Sequence, residues 1–148
     1  LAAGLALLAR DRGEVSLAFQ ALMYPMLDDR MITPSSAWGD PVWPPAANRF
    51  GWRSYLGDLT GAAVPYYAAA ARATDLTKLP RTFIGVGALD GFSDEDIDYA
   101  VRMRHAGVPT ELHVYAGAPH AFDGLAPETA IAKRANRDIE EWLASALR

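Results

Sequence analysis

The chain predicts an α/β fold, a parallel sheet whose strands are flanked by helices in a three-layer arrangement. Three observations lead there. Thr82-Phe83-Ile84-Gly85-Val86-Gly87-Ala88 is a continuous apolar run, as expected of a strand covered on both faces. Thr110-Glu111-Leu112-His113-Val114-Tyr115 alternates and reads as a second strand. Helical segments over Ser93 to Ala106 and Pro127 to Leu147 follow each of them after short joins, and strand-helix-strand-helix order is the mark of a parallel sheet.

The elements can be justified in order. Leu1 to Asp11 is small and apolar on nearly all sides, which suits a helix buried over most of its surface. No capping residue precedes Leu1, so the helix reads as beginning in mid-element, and Gly13 ends it. Leu17 to Tyr24 reads as a buried strand stopped by Pro25. Residues 28 to 65 then change character: Pro34, Pro41, Pro44, Pro45, Gly39, Gly51 and Gly57 interrupt every long period. Trp38, Trp43, Trp52 and Tyr55 gather aromatic surface in the same stretch. This predicts an excursion of loops and short helices over one end of the sheet, with Asn48 to Tyr55 a helix closed by Gly57. The last helix shows an apolar stripe at Ile131, Ala135, Ile139, Trp142/Leu143 and Ala146.

Composition bounds the function classes. Of 148 residues, 51% are hydrophobic and 22% charged, enough apolar material for an ordinary core and too much for a disordered chain. Fourteen Lys+Arg against 18 Asp+Glu give a net charge of −4, and no basic cluster stands out, which argues against nucleic acid as a partner. No apolar run reaches the roughly 18–20 residues of a membrane span. The chain has no cysteine, so neither a disulfide framework nor a zinc ribbon is available and the redox compartment stays open. With no recognisable targeting segment, a cytoplasmic location is the expectation.

Parallel sheets bind ligands at the carboxyl ends of their strands. One strand runs into Leu89-Asp90-Gly91-Phe92, the other into Pro119-His120-Ala121-Phe122-Asp123. The separation, 120 − 90 = 30 residues, fits one helical crossover and one strand, which sets Asp90 and His120 on the same edge of the sheet. A carboxylate there can hold an imidazole through Nδ1–H and leave Nε2 free to take a proton from a nucleophile.

Other polar residues have simpler readings. Ser93 followed by Asp94, Glu95 and Asp96 has the form of a helix cap, with its hydroxyl on a free backbone N–H and the acids at the positive end of the helix dipole. Ser35 and Ser36 read as turn residues after Pro34, and Ser16 and Ser54 show only local polarity. Asp94 is the runner-up acid. Asp28 and Asp29 read as solvated loop carboxylates making turn hydrogen bonds. His105 at a helix end and His113 on a strand face have no partner at metal-ligand spacing, so neither a metal nor another cofactor is expected.

Five segments occur in order: Tyr24-Pro25-Met26-Leu27-Asp28-Asp29, Gly51 to Gly57, Asp90-Gly91-Phe92-Ser93-Asp94-Glu95, Gly107 to Tyr115, and His120-Ala121-Phe122-Asp123. Together they resemble the carboxyl-terminal half of α/β-hydrolase esterases of the hormone-sensitive-lipase family. The resemblance implies that residues 1–148 are a single partial α/β-hydrolase domain, with Asp90 the acid and His120 the base of a catalytic triad. Two positions depart from the family pattern: Gly91 stands where Pro or a bulky apolar residue is usual, and Ala121 where Gly is usual. Ala lacks the freedom of Gly at positive φ, so the loop around His120 is expected to differ slightly.

The triad order in this fold is Ser, then acid, then His, with Ser on a Gly-x-Ser-x-Gly elbow. No such elbow occurs in the chain, nor does the His-Gly-Gly segment that supplies oxyanion donors. In the family a small apolar helix follows the elbow, so the uncapped start at Leu1 and the missing serine share one expected cause: the chain begins just past the nucleophile. The resemblance implies hydrolysis of small or medium carboxylic esters through an acyl-enzyme in the complete protein, with this chain alone inactive. Trp43, Trp52, Phe92 and Phe122 are candidates for lining the substrate pocket. The alternatives are a non-catalytic ligand-binding module on the same fold, or a structural piece held by a partner copy. The strand Thr110 to Tyr115, last in the sheet, is an edge through which a homodimer could form.

Overall fold

The computed structural model describes residues 1–59 and 61–148; Thr60, inside the predicted excursion, lies outside the described residues. Three parallel strands, β1 (Phe19–Met23), β2 (Arg81–Gly87) and β3 (Thr110–Tyr115), form a sheet in the order β1-β2-β3. The helices are α1 (Ala2–Arg12), α2 (Pro45–Leu56), α3 (Ser93–His105), α4 (Phe122–Leu125) and α5 (Ala130–Ala146). Three-residue 3-10 turns lie at Ser35–Ala37, Gly61–Ala63 and Ala70–Arg72.

Register fixes which side chains share a face. Leu22, Ile84 and Leu112 stand in one row across the three strands. On that face they meet Ala3, Ala6 and Leu7 of α1 and Tyr99, Ala100 and Met103 of α3. The opposite face carries Phe19 and Phe83, both packed on Trp142 of α5 at centroid separations of 5.5 and 5.6 Å. Tyr115 continues this face onto Ala132 and Ala135 of α5. β2 is buried from Thr82 to Gly87, which is why it carries no polar alternation.

Boundaries differ from the sequence expectation in ways with physical causes. The first strand starts at Phe19, with Leu17 packed on the core from outside it. α2 begins at Pro45, three residues before the predicted Asn48, because a first-turn Pro has no N–H to satisfy. α5 begins at Ala130, where Thr129 Oγ1 accepts the Ala132 N–H at 3.3 Å, and the separate short turn of α4 precedes it. The buried stripe of α5 is Ala132, Ala135 and Trp142, with Ile131 and Ile139 half-buried. α1 ends at Gly13 in the left-handed conformation, φ 65°, as expected. It buries only one face: Ala3, Gly4, Ala6 and Leu7 are inside, whereas Leu5 is 60% exposed.

Candidate functional site

The three strands deliver their carboxyl ends to one edge, where Tyr24, Asp90 and His120 emerge. Asp90 follows a tight turn in which its own N–H donates to Gly87 O at 3.1 Å. Its Oδ1 accepts the Phe92 N–H at 3.0 Å, so the acid's side chain is held by the start of α3. Asp90 is fully buried. Its second oxygen, Oδ2, lies 2.9 Å from His120 Nδ1, the distance at which an Nδ1–H donates to a carboxylate. The His120 side chain is 15% exposed, against 1% for that of Asp90. Asp94, the runner-up acid, is turned elsewhere: its Oδ2 accepts the Ser35 N–H at 2.8 Å.

Three aromatic rings surround the imidazole. Tyr24 and Phe92 meet it edge-on at 4.8 and 5.4 Å, and Trp43 lies tilted at 5.8 Å. Tyr24 holds a positive φ of 37° at the end of β1, with its N–H on Gly85 O. Burial raises the Tyr24 pKa, and the nearby Asp123 and Asp90 carboxylates raise it further. Ala121 has φ 52°, so the position where the family pattern has Gly does adopt the left-handed conformation.

The other aromatic candidates lie apart from this ring cluster. Trp52 is buried with Val64 and Ala69 and lines an apolar cleft of about 470 Å³ together with Leu1, Ala21, Met23 and Tyr55. Phe122 is buried against Tyr115, Ala118, Ala132 and Ala135 beneath α5.

Ser93 does not cap α3. Phe92 occupies the cap position without a side-chain bond, and the Asp94 N–H is taken by Ser35 Oγ at 3.1 Å. Ser35 in turn donates its hydroxyl to Gly91 O at 3.0 Å. With Asp94 accepting the Ser35 N–H, the two residues form a reciprocal cap between distant segments. Ser35 and Ser36 are therefore buried anchors within a 3-10 turn, not merely turn residues. Asp28 and Asp29 are likewise not solvated. Asp28 is buried and accepts two bonds from the Arg30 guanidinium, while Asp29 accepts two from Arg72.

Two acids of α3 lie inside the molecule. Glu95 Oε1 accepts the Leu27 and Asp28 N–H groups at 2.7 and 3.1 Å, and burial pushes its pKa up to about 8. Asp96 is fully buried, and burial followed by the neighbouring Glu95 and Asp90 charges raises it well above the usual carboxylate range. Sequence reasoning placed both at the positive end of the helix dipole and gave no sign of their burial. It also missed Asp40, which is buried and accepts the His120 N–H at 2.8 Å. Among the described residues there is no group of three or more His, Cys, Asp or Glu arranged to hold a metal ion. No helix among them is long and apolar enough to cross a membrane.

The chain is 31% identical over 128 residues to esterase LipI of Mycobacterium tuberculosis, covering 85% of the chain and 40% of that protein. Its structure superposes on a bacterial heroin esterase with a TM-score of 0.95 at 39% identity, covering 99% of the chain and 48% of that structure. Esterase LipW from Mycobacterium marinum matches with a TM-score of 0.90 at 39% identity, over 98% of the chain and 46% of its own. The chain thus spans less than half the length of each of these relatives. The sequence profile of the family described as alpha/beta hydrolase fold matches residues 1–124, and the chain belongs to that family.

Proposed function

We propose that the complete protein hydrolyses small or medium carboxylic esters through an acyl-enzyme, with Asp90 and His120 as acid and base of a catalytic triad. The observation behind this reading is the 2.9 Å contact between His120 Nδ1 and Asp90 Oδ2, made by a buried carboxylate to a partly exposed imidazole. The nucleophile in this reading is a serine outside residues 1–148, since no Gly-x-Ser-x-Gly elbow occurs within them. The names of the esterase relatives support the same chemistry. By itself the chain holds two of the three groups and turns nothing over.

In the reaction, His120 Nε2 takes the serine proton as Oγ attacks the ester carbonyl. Asp90 keeps the proton of the neutral ring on Nδ1 and stabilises the imidazolium. The imidazolium then hands its Nε2 proton to the leaving alcohol oxygen, and the acyl group stays on serine. A water molecule then attacks the acyl carbonyl while giving one proton to Nε2, and the imidazolium returns that proton to serine Oγ as the Oγ–acyl bond breaks and the carboxylic acid leaves. Trp43 and Phe92, beside the imidazole, are the pocket candidates nearest the reacting atoms, and Trp52 and Phe122 line or support more distant parts. The exposed edge of β3 pairs with a second copy.

The test is turnover of a p-nitrophenyl ester by the complete protein. His120→Ala is expected to lower kcat by about 10³-fold or more with the melting temperature retained. A fluorophosphonate is expected to label a serine outside residues 1–148. Near-normal turnover by His120→Ala overturns the base assignment. A complete protein that takes no label and turns over no ester supports the ligand-binding alternative instead.

A further inference from the structure

We propose that Asp40 is a positioning residue for His120, the buried clasp that ties the aromatic strap of residues 35–43 to the loop carrying the base. The inference rests on the reading of His120 as the base. Both oxygens of Asp40 are occupied, and among the described residues only by backbone donors. Oδ2 accepts the His120 N–H at 2.8 Å, while Oδ1 accepts the Val42 and Trp43 N–H groups at 2.7 and 2.9 Å. Asp40 is 3% exposed and makes no ion pair among the described residues, so its charge is balanced by these N–H dipoles. A buried carboxylate committed to three amides on two distant segments fixes those segments relative to one another.

The other end of the strap is fastened to the acid. Ser35 exchanges two hydrogen bonds with Asp94 and donates a third to Gly91 O, in the turn that follows Asp90. Residues 35–43 therefore bridge the acid loop and the base loop, and the bridge ends at Trp43, whose ring lies 5.8 Å from the imidazole. Asp90 holds the ring at Nδ1, and Asp40 holds the backbone from which the ring hangs. This second point matters because the next residue, Ala121, sits at φ 52°, a conformation an alanine keeps only when its surroundings impose it. A carboxylate suits the task where an amide does not, since an amide has one acceptor oxygen and the clasp needs acceptors on two sides.

Asp40→Asn in the complete protein is the test, being isosteric and leaving packing unchanged. The expectation is a fall in kcat of about 10- to 100-fold, since misplacement of a catalytic group costs on this scale, with KM held within about twofold. The His120 Nδ1–H proton resonance should broaden or shift. Wild-type kcat with an unchanged Nδ1–H signal overturns the proposal. Should the variant fail to fold, hydrogen exchange at the His120 amide of the wild-type protein decides. Protection comparable to that of strand amides supports the clasp, and exchange as fast as an open loop overturns it. His120→Ala assayed alongside separates the two readings. If it stays active, the base assignment falls; if it is inactive while Asp40→Asn is unaffected, only the clasp falls.

Discussion

Glu95 shows how much a single buried acid can bias this molecule. One oxygen accepts two backbone N–H groups, and the other is buried without a partner. The two N–H bonds favour the ionised group, but burial outweighs them and pushes the pKa up to about 8 from 4.5. Between those two values the folded protein keeps a proton that the unfolded chain has released. Stability is therefore fully present below the unfolded value and is lost as pH rises through the folded one. Asp96, buried with neither oxygen bonded, acts in the same direction. Glu95→Gln keeps the accepting oxygen and removes the titration. It should melt above the wild type at about pH 8.5, and the gap should close toward about pH 5. Equal melting temperatures at both pH values would show that Glu95 is ionised in the fold.

At the scale of elements, the exits of β2 and β3 are locked together more tightly than their ladder requires. A Cβ on Gly87 would lie 2.2 Å from Ala118 O, and Leu89 N–H donates to that same oxygen at 3.0 Å. Only glycine lets the end of β2 pass under the turn that leads to His120. Gly87→Ala should lower the urea midpoint of the complete protein by the equivalent of about 1–3 kcal/mol with the slope unchanged, and a wild-type midpoint would mean the turn yields freely. This close approach was not foreseeable from a single Gly in an apolar run. The strands were foreseeable, because a strand buried on both faces must be largely apolar and Phe83 to Gly87 is. The pairing of Asp90 with His120 was foreseeable too, since neighbouring parallel strands end side by side. The cap of α3 was not: the oxygen that serves it belongs to Ser35, far back in the chain, while Ser93 offers the same local pattern without the bond. Asp40 went unnoticed for a related reason: one of its oxygens bonds the turn that follows it, but the other reaches residue 120, far along the chain.

For the whole molecule, the sheet has two edges of different character. Beside β1 lies the apolar cleft of about 470 Å³ lined by Leu1, Ala21, Met23 and Trp52, and Leu5 is exposed on the adjoining helix. Apolar surface of this kind is suited to cover by further secondary structure. The relatives are more than twice as long as the chain, so their folds have the material to supply it. The β3 side is more polar: Glu111 and His113 share a 2.8 Å contact, and His113 and Tyr115 both reach Asp138 of α5. Val114 is 39% exposed there, on the sheet face opposite to these residues. The open backbone groups of an edge strand are suited to pairing with a copy of itself, which extends one sheet across a twofold axis. Sedimentation of the complete protein at micromolar concentration should then give twice the mass of one chain. Val114→Glu places like charges on the continuous sheet face of both copies and should halve that mass without unfolding either. A wild-type protein that sediments as a single chain, or a Val114→Glu variant that stays dimeric, removes β3 as the contact.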